Sequence, residues 1–151
     1  MNKKDALLSV AALLVMGLTM TSCNKDDENP VTVVGPNTYT ATVNAASEKP
    51  TSTTSTAVGA FVGTLDETSR TLSYTVAYSG LTPSMGHLHR VTRADGTGGV
   101  EFPFPNLMSP IVGTATFANQ ARVDSFKRGF YYVNLHTPAY PNGEIRGDIK
   151  K

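Results

Sequence analysis

The residues of this 151-residue chain best suited to chemistry are its three histidines, which fall in two short segments. One is Gly86-His87-Leu88-His89. The other is Tyr131-Tyr132-Val133-Asn134-Leu135-His136-Thr137, which runs through Pro138-Ala139-Tyr140-Pro141-Asn142-Gly143 into Glu144-Ile145-Arg146-Gly147. Both segments read as strands. Side chains alternate along a strand with period two, so His87 and His89 point to one face. A third imidazole, His136, on a neighbouring strand would complete a three-nitrogen site, and such a site suits copper or zinc. Imidazoles that bind a metal need hydrogen-bond partners that fix their tautomers. Asn134, Glu144 and Asp148 are the candidates nearby in sequence. The competing reading is a structural network in which the same histidines, Glu144 and Arg146 pin the last hairpin to the His87–His89 strand. An acid and an arginine two residues apart on one strand face more often serve structure than catalysis.

Other chemistry is thin. No serine or threonine sits in a nucleophile-elbow pattern. The carboxylates are scattered, so paired-carboxylate hydrolysis has no support. Gly96-Thr97-Gly98-Gly99 is not followed by the Gly-Lys-Ser/Thr of a phosphate loop and reads as a turn. Tyr131, Tyr132 and Tyr140 read as core and edge packing. A binding or structural module is expected rather than an enzyme.

The elements that must carry these residues are strands. From Thr38 onward no long stretch has a helical period. Short runs rich in Val, Thr, Tyr and Phe recur between turn residues at fairly even spacing, the pattern of an all-β sandwich or barrel. Eight strands are expected, over residues 39–43, 58–65, 71–78, 85–93, 100–104, 111–117, 131–137 and 144–150. Gly59 and Gly63 mark bulges or close packing. Residues 119–127 read as one or two helical turns with Ala121, Val123 and Phe126 on the apolar side, ended at Gly129. The last two strands are joined by Pro138, Pro141 and Asn142-Gly143, which predicts a hairpin with a longer loop.

Alternation also assigns faces. Tyr131, Val133 and Leu135 share one side, and Tyr132, Asn134 and His136 the other. In the last strand Ile145, Gly147 and Ile149 oppose Glu144, Arg146 and Asp148. With the aliphatic sets inward, all three histidines, Glu144 and Arg146 are expected on an outer, polar face. They meet there only if their strands are neighbours or a loop folds over them.

The N-terminus reads as a targeting segment. Lys3 and Lys4 precede an apolar stretch over residues 6–18 that is too short for a stable membrane-spanning helix. Met20-Thr21-Ser22-Cys23 resembles a bacterial lipobox, with cleavage before Cys23 and a lipid on its sulfur, although Met20 stands where Leu is usual. The charged run Asn24-Lys25-Asp26-Asp27-Glu28 resembles a surface-export signal of outer-membrane lipoproteins. Residues 1–22 are thus expected to be a signal peptide, 23–37 a lipidated cysteine with its linker, and 38–151 the folded domain. The expected location is the outer membrane, facing the periplasm or the cell surface. The chain after residue 22 carries 11 basic and 11 acidic side chains and no basic stripe, which argues against nucleic acid. The membrane is the expected partner, through the lipid, with an unidentified protein or glycan ligand. Cys23 is the only cysteine, so no intramolecular disulfide can form.

The histidine segments, with Gly129-Phe130 before the second and Pro141-Asn142-Gly143-Glu144-Ile145-Arg146-Gly147 after it, resemble the signature of the CHRD (chordin) domain. Tyr39-Thr40-Ala41-Thr42-Val43, Glu48-Lys49-Pro50, Gly59-Ala60-Phe61-Val62-Gly63-Thr64-Leu65-Asp66 and Leu72-Ser73-Tyr74-Thr75-Val76 extend the resemblance over nearly all of residues 38–150. Lys49-Pro50-Thr51 stands where many members carry two prolines. The resemblance implies a β fold and an extracytoplasmic place, and supplies no catalytic activity. A weaker resemblance is to Cu/Zn superoxide dismutase, a Greek-key β-sandwich whose order of His-x-His strand, later His and C-terminal Arg is followed by His87, His89, His136 and Arg146. This chain lacks the further histidines, the zinc loop and the disulfide of that family. Dismutase activity of that type is therefore not expected, and only a smaller, single-metal site remains. A Greek-key sandwich or barrel of about eight antiparallel strands, dismutase-like or immunoglobulin-like, is the fold these resemblances imply. A mononuclear copper or zinc protein with redox or metal-scavenging activity is the alternative function.

Overall fold

Apolar residues that alternate with hydroxyl residues build the first half of the domain. A computed structural model describes residues 37–151. The expected signal peptide, Cys23 and all but the last linker residue lie outside the described residues. The strands are β1 (Thr38–Asn44), β2 (Val58–Asp66), β3 (Thr71–Ser79), β4 (Met85–Arg90), β5 (Val100–Pro103), β6 (Ile111–Thr116), β7 (Tyr131–Thr137) and β8 (Tyr140–Asp148), with one helix, α1 (Gln120–Lys127), between β6 and β7. In β3, Leu72, Tyr74 and Val76 are buried, while Ser73, Thr75 and Ala77 face solvent.

All strand pairs are antiparallel, in the order β5-β4-β7-β8-β1-β2-β3-β6. The placement of β6 beside β3 and of β7 beside β4 gives the crossovers of a Greek key. This is one continuous sheet rather than two separate layers. It curls until its edges approach: Phe102 of β5 packs edge-on against Phe117, just after β6, with ring centroids 5.6 Å apart. Phe104 lies 5.6 Å from Tyr74 of β3. The result is a nearly closed barrel with its core inside.

Space in that core is set by glycines opposite large rings. Tyr74 is paired with Gly63 on one side and Gly113 on the other. A Cβ on Gly113 would lie 2.5 Å from the Tyr74 hydroxyl, so the ring occupies the room that glycine leaves. Gly63 is likewise a close-packing point, facing Phe61 and Leu72. The helix is capped by Asn119, whose side chain accepts from the Arg122 amide, and Gly129 follows it at φ +79°. Val123 and Phe126 are fully buried, and Phe126 packs on Tyr39, Phe117 and Tyr131. Ala121, expected on the apolar side, is instead exposed; Ser125 takes the inward position.

The last hairpin differs from expectation. Thr137 pairs directly with Tyr140, so the turn is only Pro138-Ala139. Pro141, Asn142 and Gly143 belong to β8, where the register shifts between Leu135 and Thr137. The extra residues form a bulge opposite His136. Proline and a glycine at φ +129° fit a bulge as readily as a loop, because a bulge also releases ladder hydrogen bonds.

Candidate metal centre

β4 and β7 are neighbours, and their register sets Met85 opposite His136, His87 opposite Asn134 and His89 opposite Tyr132. Leu88 and Val133 between them are fully buried inside the barrel. The three histidines therefore share the outer face, and the strand pairing brings them together. One ring nitrogen from each of His87, His89 and His136 lies within 4.8 Å of the other two. His87 Nδ1 is 3.4 Å from His136 Nε2.

The expected outer polar face is not open to water. His89, Asn134, His136, Glu144 and Arg146 are all buried. Alternation identified the side of the sheet correctly, but loops cover it. Each loop is held by a polar side chain of the sheet. Glu48 accepts from Asn134 Nδ2 at 2.6 Å, and Lys49 Nζ is 3.1 Å from Asp148 Oδ2. Ser55 and Thr137 donate to the Glu144 carboxylate at 2.7 and 2.5 Å. Arg146 donates to Gly96 O at 2.8 Å and to Asp148 Oδ1 at 2.9 and 2.7 Å. Burying a polar group is costly unless it is hydrogen-bonded, and among the buried side chains of this layer only His89 Nε2 and Arg146 Nη1 lack a partner among the described residues.

Two imidazoles have their tautomers fixed, and backbone carbonyls do it rather than Asn134, Glu144 or Asp148. His89 Nδ1 is 3.1 Å from Gly98 O, and His136 Nδ1 is 3.1 Å from Pro141 O. A carbonyl can only accept, so each Nδ1 carries the proton and each Nε2 keeps its lone pair. The bulge in β8 supplies one carbonyl and the turn after β4 the other. His89 Nε2 is buried and has no partner among the described residues. A buried lone pair without a donor is an unmet acceptor, and a metal ion would meet it.

The electrostatics keep the rings neutral. Burial lowers the pKa of all three; the neighbouring His136 also lowers that of His87. His89 is pushed down to about 4, by burial first and then by the other histidines and Arg146, against its bond to Gly98. Neutral imidazole is the metal-binding form. With bonds of about 2.0–2.1 Å, a tetrahedral zinc ion places its ligand nitrogens about 3.3–3.4 Å apart. His87 Nδ1 and His136 Nε2, 3.4 Å apart, already have that spacing.

Arg146 and Tyr132 extend the site behind His89. The guanidinium lies 3.5 Å over the Tyr132 ring, and His89 stacks parallel to the same ring at 4.8 Å and 4°. Tyr132 also bonds Gly98 through its hydroxyl, at 3.2 Å from the amide and 3.3 Å from the carbonyl. Burial raises the Tyr132 pKa, so the phenol stays protonated. Burial would raise the Asp148 pKa, but Arg146 and Lys49 outweigh it and hold the carboxyl below its ordinary value. The sequence singled out Arg146 and Asp148, and they lie in the structural network. It did not single out Gly98 and Pro141, because a backbone carbonyl leaves no side-chain signature. Nor did it assign Glu48 a role at the site, since the loop that carries it is distant in sequence. Glu48 is buried, which raises its pKa despite the bonds from Lys49 and Asn134 that lower it.

Residues 39–149 match the family model of the CHRD domain. The match spans well over half of the chain, and the chain belongs to the CHRD domain family. No curated protein and no solved structure matches it.

Proposed function

We propose that this CHRD domain is a binding module whose three imidazoles, His87, His89 and His136, hold one copper or zinc ion. The observation that carries this reading is that one ring nitrogen from each histidine lies within 4.8 Å of the other two, and His89 adds a buried Nε2 with no partner among the described residues. A purely structural histidine network would be expected to close its own hydrogen bonds. The ion would supply a Lewis-acid or redox centre. The chain would contribute neutral ligands with fixed tautomers and a loop cover that restricts water.

The test is a titration of the metal-free protein with Zn(II) and Cu(II), followed by thermal unfolding. One equivalent of metal should raise the melting temperature, since a ligand that binds only the folded state stabilises it by mass action. His136→Ala should abolish the shift. No shift for either metal, or an equal shift in the variant, would leave the histidines as a structural network.

We also propose that the domain is tethered outside the cytoplasm by a lipid on Cys23. The lone cysteine after a short apolar stretch supports this, because an exported free thiol otherwise has no role. Cys23→Ser should release the protein from membranes into the soluble fraction; retention on the membrane contradicts the anchor.

A further inference from the structure

We infer that Met85 is a fourth ligand of this centre and makes it selective for Cu(I), an inference that rests on the three-imidazole reading. Met85, His87 and His89 alternate along β4 and share one face. Met85 is the direct cross-strand partner of His136. Residues paired this way have Cβ atoms about 4.5–5.5 Å apart, which puts a thioether within reach of the space beside the His136 ring. Met85 is 45% exposed, whereas His89 and His136 are buried. It therefore stands at the open end of the cluster, next to half-buried His87, and packs into no core. Its three rotatable bonds let the sulfur swing over the site.

The donor set decides the metal. The buried or half-buried carboxylates of the covering layer are engaged: Glu48 by Asn134, Glu144 by Ser55 and Thr137, and Asp148 by Arg146 and Lys49. Asp95, on the covering loop, turns back on Thr97, and among the described residues no carboxylate joins the three histidines in one group. Three neutral imidazoles and a thioether form an uncharged, soft set. Thioether sulfur selects Cu(I), whereas Zn(II) takes nitrogen, thiolate or oxygen ligands and fills an open position with water.

The experiment uses the full chain and Met85→Leu, a substitution of similar volume at an exposed position. Cu(I) affinity is measured without oxygen by competition with a chromophoric Cu(I) chelator, and Zn(II) affinity by competition with a zinc indicator. The variant should lose Cu(I) affinity by about tenfold or more and keep Zn(II) affinity within about twofold. Unchanged Cu(I) affinity overturns the role of Met85, and so does an equal loss for both metals, which would mark a structural effect. If the parent binds neither metal, the three-imidazole reading itself has failed, and that result is distinct from either outcome in the variant.

Discussion

Acid should loosen the metal-free barrel through His89. Its pKa is ordinarily 6.5 and is held near 4 in the folded chain, chiefly by burial. The unfolded chain takes up the proton first. Between those two values the unfolded state binds more protons, so stability falls as pH falls, from its full value above 6.5 to its lowest near 4. At about 1.4 kcal/mol per pH unit, this displacement is worth about 3 kcal/mol. His89 is only 8% exposed, so solvent screening takes little from that figure. His87 and His136, also held low by burial, act in the same direction. Glu48, whose pKa is raised, acts in the opposite direction near its ordinary 4.5. Asp148 adds its loss only below 3.8. Urea unfolding of chelator-treated protein at several pH values between 7 and 4 reads the effect. With a denaturant slope of about 1–3 kcal/mol/M, the midpoint should fall by about 1–3 M. His89→Asn places an amide donor where Nδ1 stood, keeps the partner of Gly98 O and does not titrate, so it should lose far less over the same range. If parent and variant lose stability equally, the buried neutral imidazole is not the source, and the electrostatic account of the site is wrong.

Three substitutions test the covering layer of the site and the packing of the barrel core. Arg146→Met removes a fully buried guanidinium that holds Gly96, Asp148 and the face of Tyr132, and should destabilise by about 2–3 kcal/mol. The value lies below the usual range for a broken buried pair because Asp148 is half-buried and keeps Lys49; a thermal melt unchanged from the parent would show that the layer does not need the cation. Gly143→Ala places a Cβ 2.6 Å from Glu48 Oε2 at a φ of +129°, and should cost more than about 1 kcal/mol by urea unfolding. Gly113→Ala drives a methyl to 2.5 Å from the Tyr74 hydroxyl and should cost about 1–3 kcal/mol, with a changed tyrosine signal in near-ultraviolet circular dichroism. An unperturbed Tyr74 signal there would mean that the glycine is not what makes room for the ring.

Period-two alternation made the barrel wall legible. Leu88, Val133, Leu135, Ile145 and Ile149, assigned inward from their spacing, are all fully buried. Alternation reports the side of a sheet, however, and not what lies over it. The cover on the histidine face comes from loops whose anchors are Glu48, Lys49 and Ser55, far away in sequence, and from carbonyls of Gly96, Gly98 and Pro141. Carbonyls are common to every residue type, so no sequence pattern marks the two that orient the rings. The β4–β7 pairing that joins His87 and His89 to His136 is a contact between distant segments, and local spacing does not encode it. Pro141-Asn142-Gly143 has the composition of a loop and of a bulge alike, and only the partner strand decides between them.

The central claim is that His87, His89 and His136 close on one ion, and X-ray absorption at the metal edge of zinc-loaded protein tests it most directly. The account predicts three imidazole nitrogens at about 2.0–2.1 Å, with the outer-ring scattering that identifies histidine. A shell of oxygen alone, or a spectrum with fewer than three imidazoles, would contradict it.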